Sequence, residues 1–94
     1  MEDEEFEWDN AKAAANVAKH GVTFEMAREA FRDPFAVEWM DLNQDAGEVR
    51  YALLGAVDGR ILFVAYTQRE ERIRIISARR ATSYERRRYH EENI

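Results

Sequence analysis

Residues 72–90 read RIRIISARRATSYERRRYH, and the change of period inside this stretch decides the fold. Ile73, Ile75 and Ile76, followed by Ser77 and Ala78, are β-branched and apolar enough for a strand inside a sheet. Thr82 then opens a helix, since Thr82 and Glu85 have the S/T-x-x-E spacing of a capping box, in which side chain and backbone satisfy each other's orphan groups. Arg79 and Arg80 fall at the junction. A strand end that runs into a helix N-terminus with arginines at the turn is suited to holding a phosphate. Arg86, Arg87 and Arg88 continue the charge along the helix, where a solvated polar face accounts for them equally well.

Upstream, the punctuation is strong. Asp58-Gly59 marks a two-residue type I′ hairpin between a strand over Glu48–Val57 and another over Arg60–Thr67. Ile61–Ala65 shows no alternation, which places that strand in the sheet interior with both faces covered. Ala36–Leu42 reads as a further strand, with Val37 and Trp39 on one face and Met40 on the other, followed by a loop over Asn43–Gly47. In the N-terminal third, Phe6 and Trp8 alternate around Glu7 as a short strand. Asp9 caps a helix that runs to His20 with Ala14, Val17 and Ala18 as its apolar stripe, and Gly21 supplies the left-handed stop. Thr23 caps a second helix, with Phe24, Ala27, Ala30 and Phe31 on one face, ended by Asp33-Pro34. Met1–Glu5 is expected to be a frayed acidic tail, leaving residues 6–94 as the domain. The order predicts an α+β domain in which two N-terminal helices pack on one face of a largely antiparallel sheet, followed by a C-terminal helix. Arg50, Arg74 and Arg79 or Arg80 reach the opposite face, which is expected to be open.

A chain of 94 residues makes one domain with a single small core, and 46% hydrophobic with 12% aromatic residues excludes a disordered chain. There is no cysteine, hence neither disulfide nor thiolate metal site. No apolar run reaches the length of a membrane span and the N-terminus is unlike a signal peptide, which leads us to expect a cytoplasmic protein. The net charge of −5 conceals an asymmetry: nine arginines against three glutamates give +6 between Arg60 and His90, which leaves −11 for the remainder. Such a chain is a poor non-specific binder of nucleic acid, yet its positive third can hold an anion and its acidic part a basic partner.

Together, Phe6-Glu7-Trp8-Asp9, Lys12-Ala13, Asn16, Lys19-His20-Gly21-Val22, Phe24-Glu25 and Phe31-Arg32-Asp33-Pro34 resemble the N-terminal half of the BrnT toxin family. Glu48-Val49-Arg50, Gly55, Gly59-Arg60, Tyr66-Thr67, Arg74 through Arg79, Ala81-Thr82 and Glu85 resemble its second half. The likeness runs from Phe6 to about Tyr89, and its specificity lies in the order and spacing of motifs that are individually short. It implies a RelE-like fold and a small ribonuclease, the toxin of a bacterial type II toxin–antitoxin pair. The implied partners are an RNA substrate, a BrnA-type antitoxin and, for the complex only, promoter DNA.

Metal-independent RNA cleavage must activate the 2′-hydroxyl, stabilise the phosphorane and protonate the leaving oxygen. The guanidinium fork matches two phosphate oxygens, so Arg79 is the leading candidate, with Arg50 and Arg74 beside it. His20 and Glu48 are the candidates for proton transfer; a helix-capping imidazole and a surface ion pair between Glu48 and Arg50 are the structural alternatives. Arg80, Lys12 and Lys19, the two lysines on one helix face, are candidate phosphate contacts. Tyr89 could stack on a base or pack its ring on the sheet. The carboxylates have no metal-ligand spacing, so neither metal nor cofactor is expected. A module that binds a partner without catalysis is the competing reading.

Overall fold

The computed structural model describes residues 1–42 and 47–94, so most of the loop expected over Asn43–Gly47 lies outside the described residues. Its elements are β1 (Phe6–Glu7), α1 (Asn10–His20), α2 (Phe24–Ala30), β2 (Val37–Asp41), β3 (Arg50–Val57), β4 (Arg60–Arg69), β5 (Arg72–Arg80) and α3 (Ser83–Glu92). They build a five-stranded mixed sheet in the order β1-β5-β4-β3-β2, in which only the β1–β5 pair is parallel. β4 is therefore central, in keeping with its unbroken apolar run.

The hairpin between β3 and β4 turns at Asp58 and Gly59, whose φ angles of 49° and 79° are the positive pair a type I′ turn requires. The helix caps also form as the sequence predicts. Asp9 accepts from the Lys12 N–H, Thr23 from the Met26 N–H, and Gly21 closes α1 in the left-handed conformation. The Thr82–Glu85 capping box is complete in both directions.

One face of the sheet carries the main core. Leu53, Val57, Leu62, Val64, Tyr66, Ile75 and Ala78 meet Phe24, Ala27 and Ala30 of α2, with Phe6 and Trp8 closing the side. Full burial of each large side chain contributes about 1.5–3 kcal/mol. Helix α2 can approach β3 this closely because Gly55 has no side chain: a Cβ there would lie 2.4 Å from the Ala30 carbonyl oxygen. The opposite face is not open, as expected, but partly roofed by α3. Tyr89 packs against Val37, Leu54, Ile61 and Phe63, while Arg88 stacks 4.0 Å over the Trp39 ring.

Two further expectations need correction. Ala14, Val17 and Ala18 do not form the buried stripe of α1; Val17 is 43% exposed, and the one buried residue of the helix is Asn16. What the helix meets is a strand edge with free polar groups, which an amide side chain can bond and an alkyl side chain cannot. β1 covers β5 only at Ile73 and Arg74. Beyond it, the Asn16 amide donates to the Ala78 carbonyl at 2.8 Å and accepts from the Ala78 N–H at 3.2 Å. The side chain thus stands in for a neighbouring strand where β1 has ended. Nor is the N-terminal tail frayed. The terminal amine donates to the Trp8 carbonyl, Asp3 pairs with Arg28 at 2.8 Å, and Arg72 donates to the Asp3 carbonyl.

Candidate functional site

A bulge in β5 aligns three arginines. Ala65 pairs with Ser77 and Tyr66 with Ile75, so Ile76 is an extra residue with no partner in β4. Strict alternation would put Arg74 and Arg79, five positions apart, on opposite faces of the sheet. With one residue absorbed by the bulge, Arg74, Ser77 and Arg79 share the face that α3 partly roofs. Arg50 joins them, since Arg50 and Arg74 both pair with Thr67. Between the Arg50–Thr67–Arg74 row and the Phe63–Arg79 row runs a row of small residues, Ala52, Ala65 and Ser77, ending at Trp39.

The arginines of that face are engaged. Arg74 pairs with Glu7 at 2.8 Å, with side chains only 23% and 16% exposed. Arg79 grips Glu85 through both nitrogens of its fork, at 2.7 and 3.0 Å, and lies 4.2 Å over the Phe63 ring. Burial opposes ionisation of Glu85, but the Arg79 fork and the Thr82 N–H outweigh it and hold the carboxyl below the usual range. Arg79 therefore ties β5 to α3 as well as facing the row of small residues. Glu48 precedes β3 and pairs with Arg69 at 3.5 Å.

At the outer edge of β5 lies a cleft of about 210 Å³ between the strand and α1, lined by Lys12, Asn16, Lys19, His20, Ile76 and Ser77. Positions 12, 16 and 19 recur at helical spacing, so the stripe that Asn16 docks onto the strand carries both lysines along with it. Neither lysine nor His20 forms a salt bridge among the described residues, although the Lys12 N–H and, after it, the Lys12 charge help hold the Asp9 carboxyl below its ordinary range. Ser77 joins the cleft to the arginine face, because Arg79 lies two strand positions beyond it, roughly 6.6 Å.

Tyr89 is not a platform for a base. It is buried, and its hydroxyl donates to Asp33 at 2.5 Å; burial, then the hydrogen bond to Asp33 and its negative charge, push that hydroxyl up to about 12. Asp33 also accepts from the Phe35 and Ala56 N–H groups and so locks the end of α2 to β3 and α3. Arg80 turns away from the cleft to a pocket of about 390 Å³ at the end of the sheet, where Arg60, Arg86 and His90 join it. The sequence held no sign of that grouping, which depends on the β3–β4 hairpin folding back beside α3. Ser77 was also missed as a site residue: alternation puts it on the face of Arg79, but only the bulge brings Arg74 to the same face. Among the described residues no three His, Asp or Glu side chains gather as metal ligands, and no helix is long and apolar enough to cross a membrane.

A search of the curated proteins returned no match. The family model of the ribonuclease toxin BrnT, of type II toxin–antitoxin systems, matches residues 8–85. That span takes in α1 with its lysines and His20, the bulged strand and the Arg79–Glu85 tie, and the chain accordingly belongs to the BrnT family of ribonuclease toxins.

Proposed function

We propose that this chain is a metal-independent endoribonuclease whose active centre is the cleft between α1 and the bulge of β5. The observation that carries the reading is the meeting of Lys12, Lys19 and His20 with Ser77, two strand positions from Arg79. Lys12 and Lys19 hold the phosphate flanking the scissile bond. His20 moves a proton at the 2′-hydroxyl or the leaving 5′-oxygen. Arg79 turns part of its fork from Glu85 to the phosphorane, and Arg74 and Arg50 line the path of the strand across the sheet. Glu48, held by Arg69 outside this row, takes no part.

The domain, residues 6–94 with the tied-in N-terminal segment, is read as RelE-like. The chain acts in the cytoplasm as the toxin half of its pair, a BrnA-type antitoxin neutralises it, and the complex binds promoter DNA. The pairing of Arg74 and Arg79 with carboxylates favours the competing reading, a binding module without catalysis, in which those arginines only hold the fold together.

The test is cleavage of a mixed-sequence RNA by the purified protein, with and without EDTA. Equal cleavage in both is expected, and His20→Ala should lower the rate by about 10²–10⁴-fold with native circular dichroism. Activity that vanishes in EDTA and returns with magnesium would overturn the metal-free mechanism. An inactive wild-type chain that still binds its antitoxin would establish the module instead.

A further inference from the structure

We infer that the pocket at the end of the sheet is a second anion site, which holds a phosphate of the RNA strand away from the scissile position. The inference rests on the ribonuclease reading for the identity of the ligand, and on the following geometry for the site. Three arginines, Arg60, Arg80 and Arg86, open onto a pocket of about 390 Å³, with His90 beside them and no carboxylate in its lining.

The charge distribution makes this unusual for the chain. Arginines 28, 32, 69, 72, 74, 79 and 88 are each paired with an aspartate or glutamate. Arg60, Arg80, Arg86 and Arg87 have no carboxylate partner among the described residues, and three of these four meet in one pocket. In a protein with 19 acidic residues and a net charge of −5, no shortage of acids explains this. Like charges brought together repel, and an anion of the ligand is what relieves them. Arg86 is already oriented, since its two terminal nitrogens donate to the Ala81 carbonyl at 3.0 Å and the Ser83 hydroxyl at 3.1 Å. Arg60 and Arg80 are exposed and carry no such tether. Their forks are open to a phosphate in the bidentate manner arginine favours.

The placement favours nucleic acid over an acidic peptide. Arg80 is the last residue of β5, three positions beyond Ser77 of the cleft, roughly 10 Å at the rise of a strand. One RNA strand held in the cleft spans that distance. The floor of the pocket includes Ile61 and Ala81, apolar surface against which a ribose or base can rest. A basic track with apolar stations along it is how single strands are held without sequence preference.

The experiment is binding of a single-stranded, 2′-O-methyl RNA oligonucleotide, which cannot be cleaved, to the intact chain and to Arg60→Gln/Arg80→Gln, by fluorescence anisotropy across a salt series. Neither side chain holds another part of the protein, so the variant should keep native circular dichroism. The expected result is an affinity at least 10-fold lower and a slope of log affinity against log salt shallower by about 0.7 for each phosphate that the variant no longer neutralises. Arg87→Gln, on the same helix outside the pocket, should bind like the parent. A variant that binds RNA with the parent's affinity and slope would overturn the inference while leaving the cleavage reading intact. Loss of affinity for the antitoxin alone would also overturn it, by giving the pocket to the protein partner, as would a wild-type chain that does not bind the oligonucleotide. RNA bound through this pocket by a chain that cleaves nothing would uphold it and remove the catalytic reading.

Discussion

The arginine face of β5 and the strand's two flanks use positive charge in opposite ways. Between those flanks, Arg74 near the start of β5 and Arg79 at its penultimate position are half-buried and bonded to Glu7 and Glu85, one joining β5 to β1 and the other joining it to α3. On the flanks, Lys12 and Lys19 beside the strand edge and Arg60 and Arg80 at its end form no salt bridge among the described residues. The same residue class thus does two jobs within one strand's length. A paired, partly desolvated arginine contributes to stability, because removing it strands a carboxylate. An exposed and unpartnered cation contributes little to stability and is free to bind. The difference lies in the partners, which neither residue type nor position along the chain reveals.

Substitution at the flank should sharpen that contrast most. Lys12→Ala/Lys19→Ala is expected to lower RNA cleavage by about 10²–10³-fold, while thermal unfolding stays where the parent's is. A fall in Tm as large as that of the paired-arginine variants would erase the distinction. Asn16→Ala tests what holds the cleft together. It leaves the Ala78 N–H and carbonyl without partners at the strand edge, a cost of about 1–3 kcal/mol, and lets α1 swing away from Ser77. Stability and cleavage should fall together, read by chemical denaturation and by turnover on RNA.

Arg79→Ala should behave as a member of the paired class first. Glu85 loses both bonds from the fork, and stability drops by about 1.5–3 kcal/mol, seen as a lower denaturation midpoint. Cleavage measured well below that midpoint then reports any separate loss at the phosphorane. Equal stability with lost cleavage would move Arg79 to the binding class. The smallest effect is one of pH. The carboxyls of Glu85 and Asp33 are held below their ordinary range in the folded protein. Their contribution is therefore present above the unfolded pKa values of about 4 and is lost as pH falls through the depressed folded values. Acid titration of stability should steepen below about pH 4, and Arg79→Gln should flatten it. A profile identical in the two proteins would show that the Arg79 fork is not what depresses Glu85.

Local signals determined much of this molecule before any tertiary contact was known. The Asp58-Gly59 turn, the caps at Asp9, Thr23 and Thr82, the stop at Gly21 and the apolar run of β4 depend on interactions within a few residues, and each forms where those residues predict it. The motifs from Phe6 to Glu85 were sufficient to show the family. Lys12 and Lys19 could be placed together because helical spacing puts them on one side of α1, and His20 could be placed in its last turn by the Gly21 stop. The buried side of that helix could not, because it is set by an edge of β5 that becomes free only where β1 stops pairing, some sixty residues away in sequence. The shared face of Arg74 and Arg79 depends on one bulged residue, Ile76, which no period of two predicts. The carboxylates that occupy those arginines, and the pocket that gathers Arg60, Arg80 and Arg86, are likewise products of strand order and of where α3 comes to rest. Sequence sets what a residue can bond; long-range pairing decides which groups are left to bond with a ligand.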